Sequence, residues 1–364
     1  GHPSFNRGLR GKPAPMKLRT ETIPGAELCI GESCYLYFGG TAYLGMQTLP
    51  QFREAHAQFT LEMGTHWGAS RAGNLVLSVY DKTEKTLAAW LGSEACLTLS
   101  SGFMAARLLA EHFASLGYPC YFSPNCHEAL LPPGSKRTSD WETLRGQLEQ
   151  SISKGNKLPP VVFTDSLGER TNPGPIWESL ESLPKQCILV ADDSHGLGIC
   201  GEDGSGSWKA LSAYGFSEFL LCGSLGKAMG VTAGIIAGSI RILDQLRETP
   251  FFAGASPAPP AGLAALQLSL NNGLYLRQYR RLMDNVNYFD TLTRHLGSLI
   301  SYPGYPVFCF TNTELASHLF TNQILITDFE YVAEAGSGSP KRIVITASHE
   351  KTHLDQLSEV LKTF

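Results

Sequence analysis

Nine cysteines are scattered along this 364-residue chain and no two form a CxxC pair, so neither a zinc ribbon nor a redox dithiol is spelled out. The scatter reads as reduced thiols rather than a disulfide framework, and no metal site is expected. Basic excess is missing too. Lys and Arg number 29 against 33 Asp and Glu, a formal net charge of -4, which leaves nothing to neutralise a run of phosphates and excludes a general nucleic-acid binder. A clean membrane-length apolar run is also lacking. Residues 219–240 come nearest, but Lys227 and the Gly, Ala and Ser residues around it mark a buried core segment, so no membrane span is expected. The first residues carry no signal-peptide pattern, and the expected location is the cytoplasm. What is present is a globular composition, 43% hydrophobic and 17% charged, in a chain long enough for one large domain and a smaller one.

Two stretches concentrate the chemistry. Phe219-Leu220-Leu221-Cys222 is strand-like in length and runs through Gly223-Ser224-Leu225-Gly226 into Lys227. Apolar neighbours desolvate an ammonium and lower its pKa, which is the setting for a nucleophilic, Schiff-base-forming lysine. A lone lysine among glycines is more often a surface residue. The second stretch argues otherwise. Ile188-Leu189-Val190-Ala191 reads as a buried strand and runs straight into Asp192-Asp193-Ser194-His195-Gly196-Leu197-Gly198. Pyridoxal phosphate needs a carboxylate on its ring nitrogen, a lysine for its aldehyde and a polar group beside its phenolic oxygen. Asp192, Lys227 and His195 are residues of those types.

With these residues in view, the chain resembles the α-oxoamine synthases, pyridoxal phosphate enzymes of fold type I. The strand-end run Asp192-Asp193-Ser194-His195-Gly196-Leu197-Gly198 and the lysine run Ser224-Leu225-Gly226-Lys227-Ala228-Met229-Gly230 carry the resemblance. It implies an α/β, aminotransferase-like fold: a large domain with a mainly parallel seven-stranded sheet sandwiched by helices, and a small C-terminal α+β domain. The expected boundaries are an N-terminal arm over 1–45, the cofactor domain over 46–255, a linking helix over 256–296 and the small domain over 297–364. The implied cofactor is pyridoxal 5'-phosphate, and the implied reaction is a decarboxylative condensation of an amino acid with an acyl-CoA through a Lys227 aldimine. Another fold-type-I enzyme, an aminotransferase or lyase, is the alternative, and a catalytically silent binding protein on the same fold is a third reading.

The resemblance also assigns single residues. Ser101-Gly102-Phe103 follow the strand-like Ala95–Leu99 and open a helix, whose free N–H groups suit the cofactor phosphate. His127 takes the position of the histidine that stacks on the pyridine ring, and with Lys227 and His195 it completes the implied catalytic set. Asp165 and Ser224 fall on further cofactor positions. Ser256, before Pro257, falls where a hydroxyl reaches the phosphate of a neighbouring subunit, so a homodimer with shared sites is implied. The loop Gly64–Gly73, with His66-Trp67 where small residues are usual, lies across that interface in the family. Thr41 stands where the family has a substrate-side Asn, and Arg342 begins an Arg-x-x-x-Thr-x-x-His run, where it would either grip a carboxylate or cap the sheet edge. Two departures stand out: Glu169 replaces a serine near the phenolic oxygen, and Phe329-Glu330-Tyr331 occupies the place of a second carboxylate-binding arginine. The expected consequence of the second is weak binding of glycine and L-alanine.

Gly196-Leu197-Gly198-Ile199-Cys200-Gly201 is a literal GxGxxG, but a dinucleotide fingerprint needs a helix to open at those glycines. Glu202-Asp203-Gly204-Ser205-Gly206-Ser207 follows instead, which predicts a loop. Elsewhere the pattern predicts a hairpin turning at Gly31-Glu32, helices over 50–61 and 81–90, and one long helix from Pro260 to about Leu296.

Overall fold

The computed structural model describes residues 18–168, 173–327 and 341–364. Residues 1–17 of the expected N-terminal arm, Glu169 and Phe329-Glu330-Tyr331 lie outside them.

A six-stranded sheet forms the centre, in the order Ala95–Leu99, Gly234–Gly238, Glu218–Ser224, Ile188–Asp192, Val161–Asp165 and Cys120–Phe122. The last four strands run parallel, and Gly234–Gly238 runs antiparallel to both of its neighbours. The expected sheet was seven-stranded; six strands pair in it among the described residues. Ile188–Asp192 is buried at every position, as a central parallel strand covered on both faces must be. Alternate residues feed opposite sides: Leu189 and Ala191 join one apolar cluster, Ile188 and Val190 the other.

Register does the positioning. Asp165 is the partner of Asp192, and Asp192 is the partner of Cys222, so two carboxylates and the start of the Lys227 turn meet at the carboxyl ends of three adjacent strands. Ligands of open α/β sheets bind at such strand ends.

The predicted hairpin forms between Glu27–Ile30 and Ser33–Tyr37, with Gly31-Glu32 at the turn. It lies beside Ile324–Leu325, which pairs parallel with its second strand. Cys29 and Cys34 face each other across the hairpin and are joined in a disulfide. This corrects the expectation of nine reduced thiols: the pairing comes from strand register, which spacing rules for CxxC motifs do not capture. The other seven cysteines are in no disulfide, and all but Cys120 are buried.

The predicted long helix is also corrected. Pro260–Asn271 and Leu274–Thr293 are two helices, separated at Asn272 and Gly273, where Gly273 has φ 75°. That left-handed residue ends the first helix, as a glycine after asparagine commonly does. A small antiparallel sheet of Ile300–Ser301, Val307–Phe310 and Lys341–Val344 follows, flanked by the helices Thr313–Thr321 and Lys351–Lys362. No helix among the described residues is long and apolar enough to cross a membrane.

Candidate active site

His127, Asp165, Leu167, Asp192, Ser194, His195 and Lys227 line one cleft at the strand ends. All three residues expected to be catalytic are among them, together with Asp165 and Asp192. Asp192 is 8% exposed, and its Oδ1 accepts the Ser194 N–H at 2.8 Å. That bond holds the carboxylate at the head of its own turn. Asp165 Oδ1 accepts the His127 N–H at 2.9 Å, so the Asp165 strand end fixes the loop that carries the histidine. Nδ1 of His127 in turn accepts the Ala129 N–H at 3.1 Å. Lys227 Nζ meets His195 Nε2, and Tyr43 Oη lies 3.0 Å from His195 Nδ1.

The neighbouring carboxylate has a different task. Asp193 is fully buried and accepts from Ser166 Oγ, from Ser207 N at 2.8 Å and from Ser207 Oγ at 2.7 Å. Burial pushes its pKa up to about 6 against the pull of those donors. The loop wraps it closely. A Cβ on Gly196 would stand 2.0 Å from Asp193 Oδ1, and one on Gly206 would stand 2.5 Å from Oδ2. These glycines serve a carboxylate-centred turn, and the next helix opens only at Trp208. The GxGxxG match therefore lacks the helix a dinucleotide needs, as expected.

On the other side of Lys227 the helix Gly102–Ser115 points its N-terminus at the lysine turn. Ser101 Oγ caps it by accepting the Met104 N–H at 3.2 Å. A Cβ on Gly102 would lie 2.7 Å from both N and Cα of Ser224, and one on Gly234 would lie 2.0 Å from Ser101 O. Two missing side chains thus let the helix start, the Ser224 turn and the strand Gly234–Gly238 close on one another. The N–H groups of the first helical turn, Gly102 and Phe103 included, and the Ser224 hydroxyl come to one corner beside Lys227. The phenyl ring of Phe103 itself is 53% exposed.

The remaining expected residues do not line the cleft. Thr41 is partly buried in the segment leading to Tyr43, Arg342 sits in the small sheet with a bridge to Thr327, and Ser256 is exposed. In the Gly64–Gly73 loop His66 is exposed, whereas Arg71 turns inward, with Nη1 2.5 Å from Glu84 Oε1 and 3.1 Å from Thr98 O. Arg71 anchors this loop to the strand that leads to Ser101.

Three contributors were not singled out from sequence. Ser194 Oγ accepts the Ser224 N–H at 2.9 Å and so links the Asp192 turn to the Lys227 turn. Gln47 Nε2 donates to Lys227 O at 2.7 Å. Tyr43 reaches His195 from a segment read only for its substrate-side Thr41. The available signal was a buried aromatic hydroxyl flanked by Ala42 and Leu44, which needs a polar partner.

A family model described as aminotransferase class I and II matches residues 141–361, more than half of the sequence. The chain belongs to the aminotransferase class I and II family. It is 26% identical over 360 residues to an 8-amino-7-oxononanoate synthase of Alkaliphilus metalliredigens, covering 93% of this chain and 89% of the relative. An 8-amino-7-oxononanoate synthase of Fervidobacterium nodosum is 24% identical over 372 residues, covering 95% and 93%. Among solved structures, a Sphingomonas wittichii serine palmitoyltransferase superposes with a TM-score of 0.79 at 17% identity, covering 93% of this chain and 89% of that one. A structure described as SPT with a PLP internal aldimine gives 0.80 at 17% identity, covering 94% and 90%. These likenesses bear out the fold-type-I architecture and the resemblance to α-oxoamine synthases drawn from the two sequence runs.

Proposed function

We propose that this protein is a pyridoxal phosphate-dependent acyltransferase of the α-oxoamine synthase kind, joining an amino acid to an acyl-CoA with loss of carbon dioxide. The observation that carries the reading is the cleft itself: a lysine, a histidine bonded to it and a buried carboxylate at adjacent strand ends. The residues present fit the cofactor. Asp192 offers a fixed anion for the ring nitrogen, His127 a flat ring from the adjoining loop, and Lys227 the amine for the aldehyde. The corner formed by the first turn of Gly102–Ser115 and Ser224 offers N–H and hydroxyl donors for the phosphate, and the missing Cβ of Gly102 keeps that corner tight. When bound, the cofactor supplies an electron sink for negative charge developing at the amino acid's Cα.

The chain's own residues do the rest. Asp192, its carboxylate oriented by the Ser194 N–H, would hold the protonated ring nitrogen. His195 exchanges a proton with Lys227 across their contact. Leu167 contributes an apolar wall that limits water. Arg342 is retained as a candidate for the substrate carboxylate and Thr41 for a hydroxyl contact near it.

Two copies are proposed to form the active unit. Ser256 is exposed, as a residue that serves a neighbour's phosphate site would be. Around the Gly64–Gly73 loop Leu61, Leu75 and Val76 are 84%, 63% and 50% exposed, an apolar face suited to a second copy. A fully active monomer in sedimentation at assay concentration would refute this. Placement in the cytoplasm is part of the same proposal; the seven cysteines outside the disulfide support it and the Cys29–Cys34 bridge weighs against it.

The test is turnover with a panel of amino acids and acyl-CoA thioesters of different chain length, following free thiol release and product mass. Thiol release that depends on an amino acid supports the reading. Keto-acid formation without thiol release would identify an aminotransferase instead.

A further inference from the structure

We propose that Tyr43 is a positioning residue that fixes the tautomer and ring plane of His195, so that Nε2 of this imidazole is the base that takes a proton from Lys227. Tyr43 is 1% exposed, and its hydroxyl lies 3.0 Å from His195 Nδ1, with the two rings edge to face at 66°. Both imidazole nitrogens are therefore engaged, Nδ1 by the phenol and Nε2 by Lys227 Nζ. An ammonium group only donates. Facing a charged Lys227, Nε2 must accept; the ring hydrogen then sits on Nδ1 and the Tyr43 oxygen accepts it.

The proton balance follows directly. An N–H bond breaks at Lys227 Nζ, one forms at His195 Nε2, and the positive charge passes from lysine to imidazole. In the imidazolium both nitrogens donate, and the Tyr43 oxygen already accepts from Nδ1, so no group has to turn. The bond becomes charge-assisted and strengthens as the lysine becomes the neutral, nucleophilic amine. Among the described residues, the other titratable groups lining this cleft are Asp192, Asp165 and His127. Each of the three accepts a backbone N–H through its side chain: Asp192 that of Ser194, Asp165 that of His127, and His127 that of Ala129.

The same short segment grips both members of the pair. Gln47 donates to Lys227 O at 2.7 Å, while Tyr43 O accepts the Ala347 N–H at 2.8 Å, which ties the segment to the C-terminal part of the chain. The catalytic meaning of the relay rests on the function proposed above; the geometry of the relay does not.

The experiment is a pH titration of His195 by ¹⁵N-imidazole NMR in the full chain, with and without added pyridoxal phosphate, the signal being assigned by its loss in His195→Gln. Without cofactor the wild type should show the Nδ1–H tautomer. Tyr43→Phe should lower the His195 midpoint by about one pH unit, a tenfold loss of proton affinity, and mix the tautomers. With cofactor, the pH midpoint of the visible band should shift as well. Should Tyr43→Phe not fold, incorporation of 3-fluorotyrosine, which weakens the phenol oxygen as an acceptor, should lower the midpoint by a smaller amount. An unchanged His195 tautomer and midpoint in a folded Tyr43→Phe, or in the fluorinated protein, would overturn the proposal. Failure of the chain to take up pyridoxal phosphate would instead count against the functional reading, and the cofactor-free titration would still decide the role of Tyr43.

Discussion

Replacing His349 should change how stability depends on pH, in a direction and size that the structure sets. His349 is 1% exposed and stacks on Phe38 with ring centroids 4.2 Å apart. Its Nδ1 accepts the Thr346 N–H at 2.9 Å, so the ring hydrogen sits on Nε2 and is donated to Tyr37 O, also at 2.9 Å. No position remains for a second proton without losing the Thr346 bond. Burial accordingly lowers the pKa from 6.5 to about 4. Between those values the unfolded chain binds the proton and the folded chain does not, so this contribution is complete above pH 6.5 and fades as the pH falls to 4. The difference, 6.5 - 4 pH units at roughly 1.4 kcal/mol each, amounts to roughly 3 to 4 kcal/mol.

Asp193 pulls the other way. Its folded pKa, raised from 3.8 to about 6, makes the folded chain the better proton binder in that window, so its contribution worsens as the pH rises through 6. The two slopes oppose each other in the wild type, and a plain stability profile hides both. The assay is therefore a difference: urea unfolding of wild type and His349→Gln from pH 4 to 7.5. The wild type should gain about 3 kcal/mol relative to the variant across the range. In Asp193→Asn the difference should run with the opposite sign. A pH-independent gap between wild type and His349→Gln would refute the reasoning, because it would mean that His349 protonates as readily folded as unfolded.

Gly102→Ala should cost at least tenfold in pyridoxal phosphate affinity, read by titration of the visible band, because the new methyl would lie 2.7 Å from backbone atoms of Ser224 and push the phosphate corner open; unchanged affinity would show that this corner is not the phosphate site. Cys29→Ser should lower stability by about 2 kcal/mol in oxidising buffer and by nothing in reducing buffer, as expected for removing a short cross-linked loop. An equal loss in both buffers would mean that the disulfide does not form in solution.

The central site was legible because its parts are local. An apolar strand that stops at Asp192, and another that stops a few residues before Lys227, announce strand-end chemistry within runs shorter than a dozen residues. Tyr43 was not legible in the same way. Its bond to His195 spans 152 residues of sequence, and only the finished packing brings the two together. The disulfide was missed because Cys29 and Cys34 are paired by hairpin register rather than by a motif, although the hairpin itself was read correctly. The helix break at Asn272-Gly273 carried a stop signal that was outweighed by the apolar periodicity on either side. Glu330, on which the expected substrate preference turned, lies outside the described residues, and that expectation stands as a proposal.

The central claim is that Lys227 holds the cofactor, and borohydride reduction tests it most directly. Protein incubated with pyridoxal phosphate and reduced should carry the pyridoxyl mass on the single peptide containing Lys227, and Lys227→Ala should carry none in the cleft. An equal yield of covalently fixed cofactor in Lys227→Ala, or a label on another lysine in the wild type, would contradict the account.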